Sequence, residues 1–189
     1  YGFLGPNGAG KSTTMNIMTG YLSATSGTVR IAGHEMLLEP EEAKRHIGYL
    51  PEIPPVYPDM TPREYLRFAG ELKGVARGKL EAEVERVMEL TGITSMHRRL
   101  IGNLSKGYRQ RVGVSCALLG DPEVIILDEP TVGLDPKQII EIRELIRGLA
   151  KKHTVILSTH ILAEAREVCD EILIISKGKL VASDTPEHL

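Results

Sequence analysis

Four short stretches carry residues that chemistry could use. The first is Gly5-Pro6-Asn7-Gly8-Ala9-Gly10-Lys11-Ser12-Thr13. Gly5, Gly8 and Gly10 keep side chains off the backbone, so that it can wrap closely around a chain of phosphates. Lys11 brings a point charge to the outer phosphates, and the Ser12 hydroxyl can ligate Mg²⁺. A helix starting near Gly10 would aim its free N–H groups and the positive end of its dipole at the same anion. The second stretch is Val124-Ile125-Ile126-Leu127, followed by Asp128-Glu129-Pro130. A continuous apolar run suits a strand covered on both faces. Two carboxylates at the end of such a strand are costly unless something uses them. Asp128 would hold Mg²⁺ through water, and Glu129 would polarise a water attacking a γ-phosphate. The third is Leu104-Ser105-Lys106-Gly107-Tyr108, where Ser105 can cap a helix whose N-terminus is a second phosphate-binding device. The last is Ser158-Thr159-His160, at the end of another apolar run.

These groups need a scaffold. The spacing Gly-x-x-x-x-Gly-Lys-[Ser/Thr] is that of a P-loop, which requires a strand before it and a helix after it. Residues 1–4 supply the strand end, and residues 12–19, with Met15, Ile17 and Met18, supply the helix. Residues 28–31 alternate as a strand and 40–46 read as a short helix. Residues 47–50 form a strand that delivers Glu52, before a stiff loop with Pro54, Pro55 and Pro58. The pattern then turns helical. Thr61-Pro62-Arg63-Glu64 combines a capping box with proline at the first helical position. Gly70 is a mild flaw in that helix, and Gly74 and Gly78 break the chain after it. Leu80, Val84, Val87 and Met88 make the stripe of a second helix, which Gly92 ends. Helix 107–119, strand 124–127, a helix begun by Asp135-Pro136, strand 154–157, a helix to Cys169, and strands 171–176 and 179–182 complete the chain.

Strand–helix alternation with candidate sites at strand ends predicts an α/β fold with a mostly parallel sheet flanked by helices. Residues 1–54 and 104–189 read as the α/β core, and 55–103 as an inserted helical subdomain. The strand ending in Asp128 is expected beside the P-loop strand.

The chain has 189 residues, 42% hydrophobic and 25% charged, which is ordinary for a globular domain. A net charge of −2 gives no broad attraction to nucleic acid or to a membrane surface. No apolar run approaches the ~18 residues of a membrane span. Cys116 and Cys169 read as small hydrophobes in a reducing compartment. Both ends read as cut. The P-loop begins at residue 5, whereas its strand should run to roughly 5–6 residues. Thr185-Pro186-Glu187 reads as the start of a helix that is not completed.

In their order along the chain (5–13, 104–108, 124–130, 158–160), the four stretches resemble an ATP-binding cassette (ABC) ATPase, a P-loop NTPase of RecA-like fold, over nearly the whole chain. Residues 5–13 resemble the Walker A motif and 124–129 Walker B. Residues 104–108 resemble the signature loop, Gly133-Leu134-Asp135-Pro136 the D-loop, and His160 the switch histidine. Tyr49-Leu50-Pro51-Glu52 falls where the family has a strand ending in glutamine, so Glu52 is a departure that adds negative charge near a γ-phosphate. Lys106 and Tyr108 stand where the family usually has Gly and Gln. Lys106 either adds positive charge beside the helix end or points to solvent. These variants resemble the ATP-binding subunits of bacterial ABC-2 type exporters, the gliding-motility-associated group nearest.

The resemblance implies ATP and Mg²⁺ as ligands. Residues Gly5 to Thr13 with Ser105, Lys106 and Gly107 would bind nucleotide. Ser12, Glu52 and Asp128 would hold the metal, and Glu129, His160 and Lys11 would act in catalysis. It implies a head-to-tail homodimer, with the signature loop of one subunit facing Walker A of the other. It also implies a transmembrane permease partner and a peripheral place on the cytoplasmic face of the plasma membrane. Ile53, Val56, Tyr57 and Met60 are candidates for the permease contact, or else pack a hinge. The family's adenine-stacking aromatic would lie before Tyr1. Its absence should weaken nucleotide binding by about 1–3 kcal/mol.

Three rivals share the P-loop. A small GTPase needs an Asn-Lys-x-Asp guanine reader, which is absent. A chromosome or repair cassette needs a very long coiled coil between Lys11 and Ser105, and the stretch between them is too short. A non-transport cassette acting on ribosomes carries a second cassette per chain and stays open.

Overall fold

The computed structural model describes residues 1–189. In chain order, β1 (Gly2–Leu4) leads into α1 (Lys11–Met18), and β2 (Arg30–Ile31) and β3 (His34–Glu35) form a small hairpin. Then come α2 (Pro40–Arg45), β4 (Ile47–Leu50), α3 (Pro62–Leu72) and α4 (Arg77–Thr91). The chain continues through α5 (Lys106–Leu118), β5 (Val124–Asp128), α6 (Pro136–Ala150), β6 (Thr154–Thr159), α7 (Leu162–Val168), β7 (Ile172–Ser176) and β8 (Lys179–Asp184). The main sheet has six strands in the order β4-β5-β6-β1-β7-β8. All its pairings are parallel except β7–β8.

Alternation along the strands puts helices on both faces. Phe3, Ile47, Ile126 and Ile156 pack with Met15 of α1 and Ala43 of α2. Leu4, Leu50, Ile125, Leu127, Val155 and Leu157 turn the other way, into a larger core with Val112 and Leu118 of α5, Ile142 and Ile146 of α6 and Ala165 of α7. Each such side chain taken from water is worth about 1.5–3 kcal/mol. The mostly parallel, helix-flanked sheet expected from the sequence is therefore present. Leu80, Val84, Val87 and Met88 of α4 join the larger core through α5, and residues 55–103 contribute no strand. No helix is long and apolar enough to cross a membrane.

Several local expectations change. β5 does not adjoin β1; β6 lies between them, with Leu157 opposite both Gly2 and Leu127. The strand expected at 28–31 shortens to Arg30–Ile31 and pairs only with β3, across a turn in which Ala32 and Gly33 both have positive φ. Gly78 does not break the chain, because it sits in the first turn of α4, where a Cβ would meet open space. Gly70 is a packing residue, since a Cβ there would lie 2.6 Å from Leu80 Cδ1 where α3 crosses α4. Thr185-Pro186-Glu187 forms a single turn closed by His188 N–H donating to Thr185 O at 3.1 Å.

The capping expectations hold. The Thr61 hydroxyl and the Glu64 carboxylate cap each other's backbone amides at the start of α3. Ser105 and Asp135 accept from Tyr108 N–H and Gln138 N–H at the starts of α5 and α6. Each cap of this kind is worth about 0.5–2 kcal/mol.

Candidate functional site

The loop between β1 and α1 is tied down on two sides. Gly5 N–H donates to Thr159 O of β6 at 3.3 Å, and Gly178 N–H, in the β7–β8 turn, donates to Ala9 O at 2.8 Å. Gly8 (φ 78) and Gly10 (φ 107) have the left-handed backbone that the turn requires. Gly5 has a different reason to be glycine. A Cβ there would lie 2.6 Å from Ile175 O, so its smallness lets the loop seat on β7 rather than on a ligand. Lys11, the first residue of α1, folds back into the loop and donates to Gly5 O at 2.7 Å and Pro6 O at 3.3 Å.

A cleft of about 370 Å³ opens at this loop. Asn7, Gly8, Gly10, Lys11, Ser12 and Thr13 line one side, with Glu52 from the end of β4, Glu129 from the end of β5, and His160 from the end of β6. Four parallel strands thus deliver their C-terminal ends to one crevice, the usual place for a ligand in an open α/β sheet. Pro6 and Ala9 do not line it; Ala9 is buried beneath the loop.

Glu129 bridges the site. Its carboxylate lies 3.4 Å from Lys11 Nζ and 3.0 Å from His160 Nδ1. β5 is two strands from β1, about 9–10 Å away, so both side chains must reach across β6 to meet. The backbone helps: Glu129 has φ 47, uncommon for a non-glycine residue, and its N–H donates to Ser158 Oγ at 3.0 Å. Ser158 in turn donates to Asp128 Oδ1. Asp128 is buried behind the cleft rather than lining it. Burial and the Asp128 carboxylate push the neighbouring Tyr49 phenol up to about 12, so it stays protonated.

The donor set fits Mg²⁺ held with a nucleotide. No group of three or more His, Cys, Asp or Glu residues forms a self-sufficient metal cage. Mg²⁺ needs no such cage when one or two protein ligands act with phosphates and water. Ser12 and Glu52 line the cleft and Asp128 stands behind it.

Ser105, Lys106 and Gly107 do not line this cleft. Lys106 and Gly107 lie instead against the turn before α6 and the first turn of α6. The Lys106 ammonium lies across Gly133, where a Cβ would be 2.1 Å from Lys106 Nζ, so the lysine, though exposed, lies over the turn before α6. Gly107 is covered by Gln138; a Cβ there would meet Gln138 Cδ at 2.5 Å. Of the expected permease contacts, Ile53 and Tyr57 are exposed, whereas Val56 and Met60 pack partly into the core.

Sequence reasoning passed over Thr131 and Glu164, and named Ser158 without its bracing role; the three tie together the ends of β5 and β6. Their signal was faint: Ser158 and Thr159 are hydroxyls at the buried end of an apolar strand, and Glu164 stands one helical turn beyond His160.

A family model described as ABC transporter matches residues 1–132. The bacitracin transport ATP-binding protein BcrA of Bacillus licheniformis is 40% identical over 191 residues, covering 100% of this chain and 61% of its own length. A solved structure of the ATP-binding subunit of an ABC transporter matches with TM-score 0.85 and 34% identity, over 99% of this chain and 78% of that one. The ATP-binding cassette MJ0796, solved as a post-hydrolysis dimer bound to ADP and Pi, matches with TM-score 0.85 and 25% identity, over 98% and 84%. The chain spans about three fifths of the length of the curated relatives it matches.

Proposed function

This chain belongs to the ABC transporter family, and from that we propose that it is the ATP-hydrolysing part of an exporter, driven by ATP-dependent closure of a head-to-tail dimer. The observation that carries the reading is the division of the site. Lys11, Ser12, Glu52, Glu129 and His160 converge on one cleft, while Ser105-Lys106-Gly107 stands apart from it on the N-terminus of α5. A complete enclosure of the γ-phosphate then takes the cleft of one subunit and the α5 N-terminus of another. An interface in which each copy uses the same two patches closes as a symmetric dimer.

In this reading the Walker A backbone and Lys11 hold the phosphates. Ser12 and Glu52, with Asp128 behind them acting through water, would hold Mg²⁺, which would supply positive charge beside the phosphates. Glu129 accepts a proton from the attacking water, and His160 orients Glu129 and meets the γ-phosphate. ATP binds the closed dimer better than the open one, so hydrolysis shifts the population towards opening. A permease subunit reads that motion through the exposed Ile53 and Tyr57, with the chain peripheral on the cytoplasmic face of the membrane.

The ABC-2 exporter assignment rests on Gly48-Tyr49-Leu50-Pro51-Glu52 and Leu104-Ser105-Lys106-Gly107-Tyr108, and the transport role named for BcrA agrees with it. From the same variants we infer a resemblance to the gliding-motility-associated group.

The test uses the full-length polypeptide. With Mg-ATP, Glu129→Gln should stop turnover and accumulate a dimer by light scattering, whereas the wild type cycles and stays mostly monomeric. A Glu129→Gln protein that turns over normally and stays monomeric would refute the proposed role.

A further inference from the structure

One buried carboxylate lies outside the machinery above. Glu164, in the first turn of α7, is only 5% exposed. Its Oε2 accepts from two hydroxyls, Thr131 Oγ1 at 2.8 Å and Thr159 Oγ1 at 3.1 Å. Its Oε1 lies 3.4 Å from Arg143 Nη2 on α6. Arg143 also donates to Glu167 at 2.7 Å, and its Nε is buried without a partner.

The two hydroxyls come from informative places. Thr131 is two residues beyond Glu129, and Thr159 immediately precedes His160. Thr159 Oγ1 already accepts the Ile161 N–H at 3.1 Å, which leaves its own proton to go to Glu164. One oxygen therefore fastens the loop after β5 to the last residue of β6, where the loop that follows begins. Those loops carry the two groups of the Glu129–His160 pair. Glu129 also needs outside restraint, because its φ of 47 is a conformation that surroundings must impose. Ser158 holds that turn at its start and Thr131–Glu164 holds it two residues later.

We propose that Glu164 is a positioning residue for ATP hydrolysis: by gathering Thr131 and Thr159 on one oxygen, it sets how Glu129 and His160 meet at the γ-phosphate. This rests on the functional reading of Glu129 and His160 given above. The chemistry calls for a carboxylate. Both oxygens face donors, two hydroxyls on one and a guanidinium on the other, and an amide would turn an –NH₂ towards one of them. Glu164 touches neither nucleotide nor water in this role, so it should affect the chemical step and leave nucleotide binding alone.

The experiment measures kcat and KM for Mg-ATP, with Tm as a folding control, on the full-length protein. The variants are Glu164→Gln, Thr131→Val and Thr131→Ser. Misplacing a catalytic group by a fraction of an ångström to 1 Å lowers the rate severely, so Glu164→Gln and Thr131→Val should each lose about tenfold or more in kcat. KM should stay within about threefold, because uniform binding is untouched. Thr131→Ser keeps the hydroxyl and should recover most of the rate. If Glu164→Gln does not fold, the Val and Ser pair decides the matter, since valine is isosteric with threonine. Variants with lowered Tm and unchanged kcat, or a raised KM with kcat intact, overturn the positioning role alone. A wild-type protein with no Mg-ATP hydrolysis overturns both this role and the functional reading beneath it.

Discussion

Lys11 Nζ lies 3.4 Å from Glu129 Oε1, and both side chains are more than nine-tenths buried. The P-loop lysine and the carboxylate proposed to activate water are thus each other's counter-ion across an intervening strand. Lys11 shares that charge with the Gly5 and Pro6 carbonyls, and Glu129 shares its own with His160. A phosphate arriving in the loop competes for Lys11. Glu129 is then left to His160 and water, which is the arrangement a general base requires.

A double-mutant cycle tests that pairing. Lys11→Ala should weaken nucleotide binding and leave Glu129 buried without its cation, at about 1–3 kcal/mol of stability. For a domain of this size each kcal/mol moves Tm by about 2–4 °C. Adding Glu129→Gln removes the orphaned charge, so the double variant should regain part of that loss. Strictly additive changes in Tm would show that the two groups do not interact in solution.

Glu52 stands in the cleft with Lys11 and Ser12, and its charge disfavours a bare γ-phosphate. Mg²⁺ should therefore matter more to ATP affinity here than in a protein with a neutral side chain at this place. Glu52→Gln should improve ATP binding in the presence of a chelator more than in the presence of Mg²⁺. Equilibrium titration with fluorescent ATP reads the ratio directly, and an unchanged ratio removes the argument.

Gly107 and Gln138 make a second testable contact. Gly107→Ala would push against the Gln138 amide, which is the far end of a flexible side chain. The folding cost should be small, below about 1 kcal/mol, while ATP-driven dimerisation should suffer because the α5 N-terminus shifts. Gln138→Ala introduced together with Gly107→Ala should restore dimerisation by sedimentation. If the double variant is as defective as Gly107→Ala, the methyl group obstructs the partner surface directly.

What could be read from sequence was local. The P-loop, the Thr61–Glu64 capping box and the Ser105 and Asp135 caps are each defined by side chains within a few residues, where spacing dictates geometry. The apolar run 124–127 identified β5 in the same way. The order of strands was not local. Gly2 pairs with Leu157 and Ile172, and nothing near Gly2 announces either partner. The same limit hid the reason for Gly5, which is a carbonyl of β7, and the role of Glu164, whose partners come from α6 and the ends of β5 and β6. Glu129, His160 and Lys11 were recognisable as chemistry. That they would meet through one carboxylate depended on β6 lying between β1 and β5.

Acid stability offers a check on how α4 is fastened to α5. Glu83 accepts from Arg86 Nε and Nη2 at 2.9 and 2.6 Å, and from Gly120 N–H at 2.8 Å beyond the end of α5. The Arg86 guanidinium, against some opposition from burial and with help from Gly120, holds the Glu83 carboxyl below the usual range. The folded form therefore binds that proton less readily than the unfolded chain, and the linkage is stabilising above the ordinary glutamate pKa of about 4.3. Near neutral pH, Glu83→Gln should lower stability by about 1 kcal/mol, the scale of a partly exposed charged pair with an added hydrogen bond. As pH falls below about 4.3 the unfolded chain takes up the proton first and the wild type begins to lose its advantage. Once pH has passed the depressed folded value both states are protonated, and the two proteins should unfold alike. Thermal unfolding of wild type and Glu83→Gln at a series of pH values measures the gap. A gap that stays constant would mean that the contact acts through packing, and one that widens in acid would mean that the carboxyl is held above its usual range.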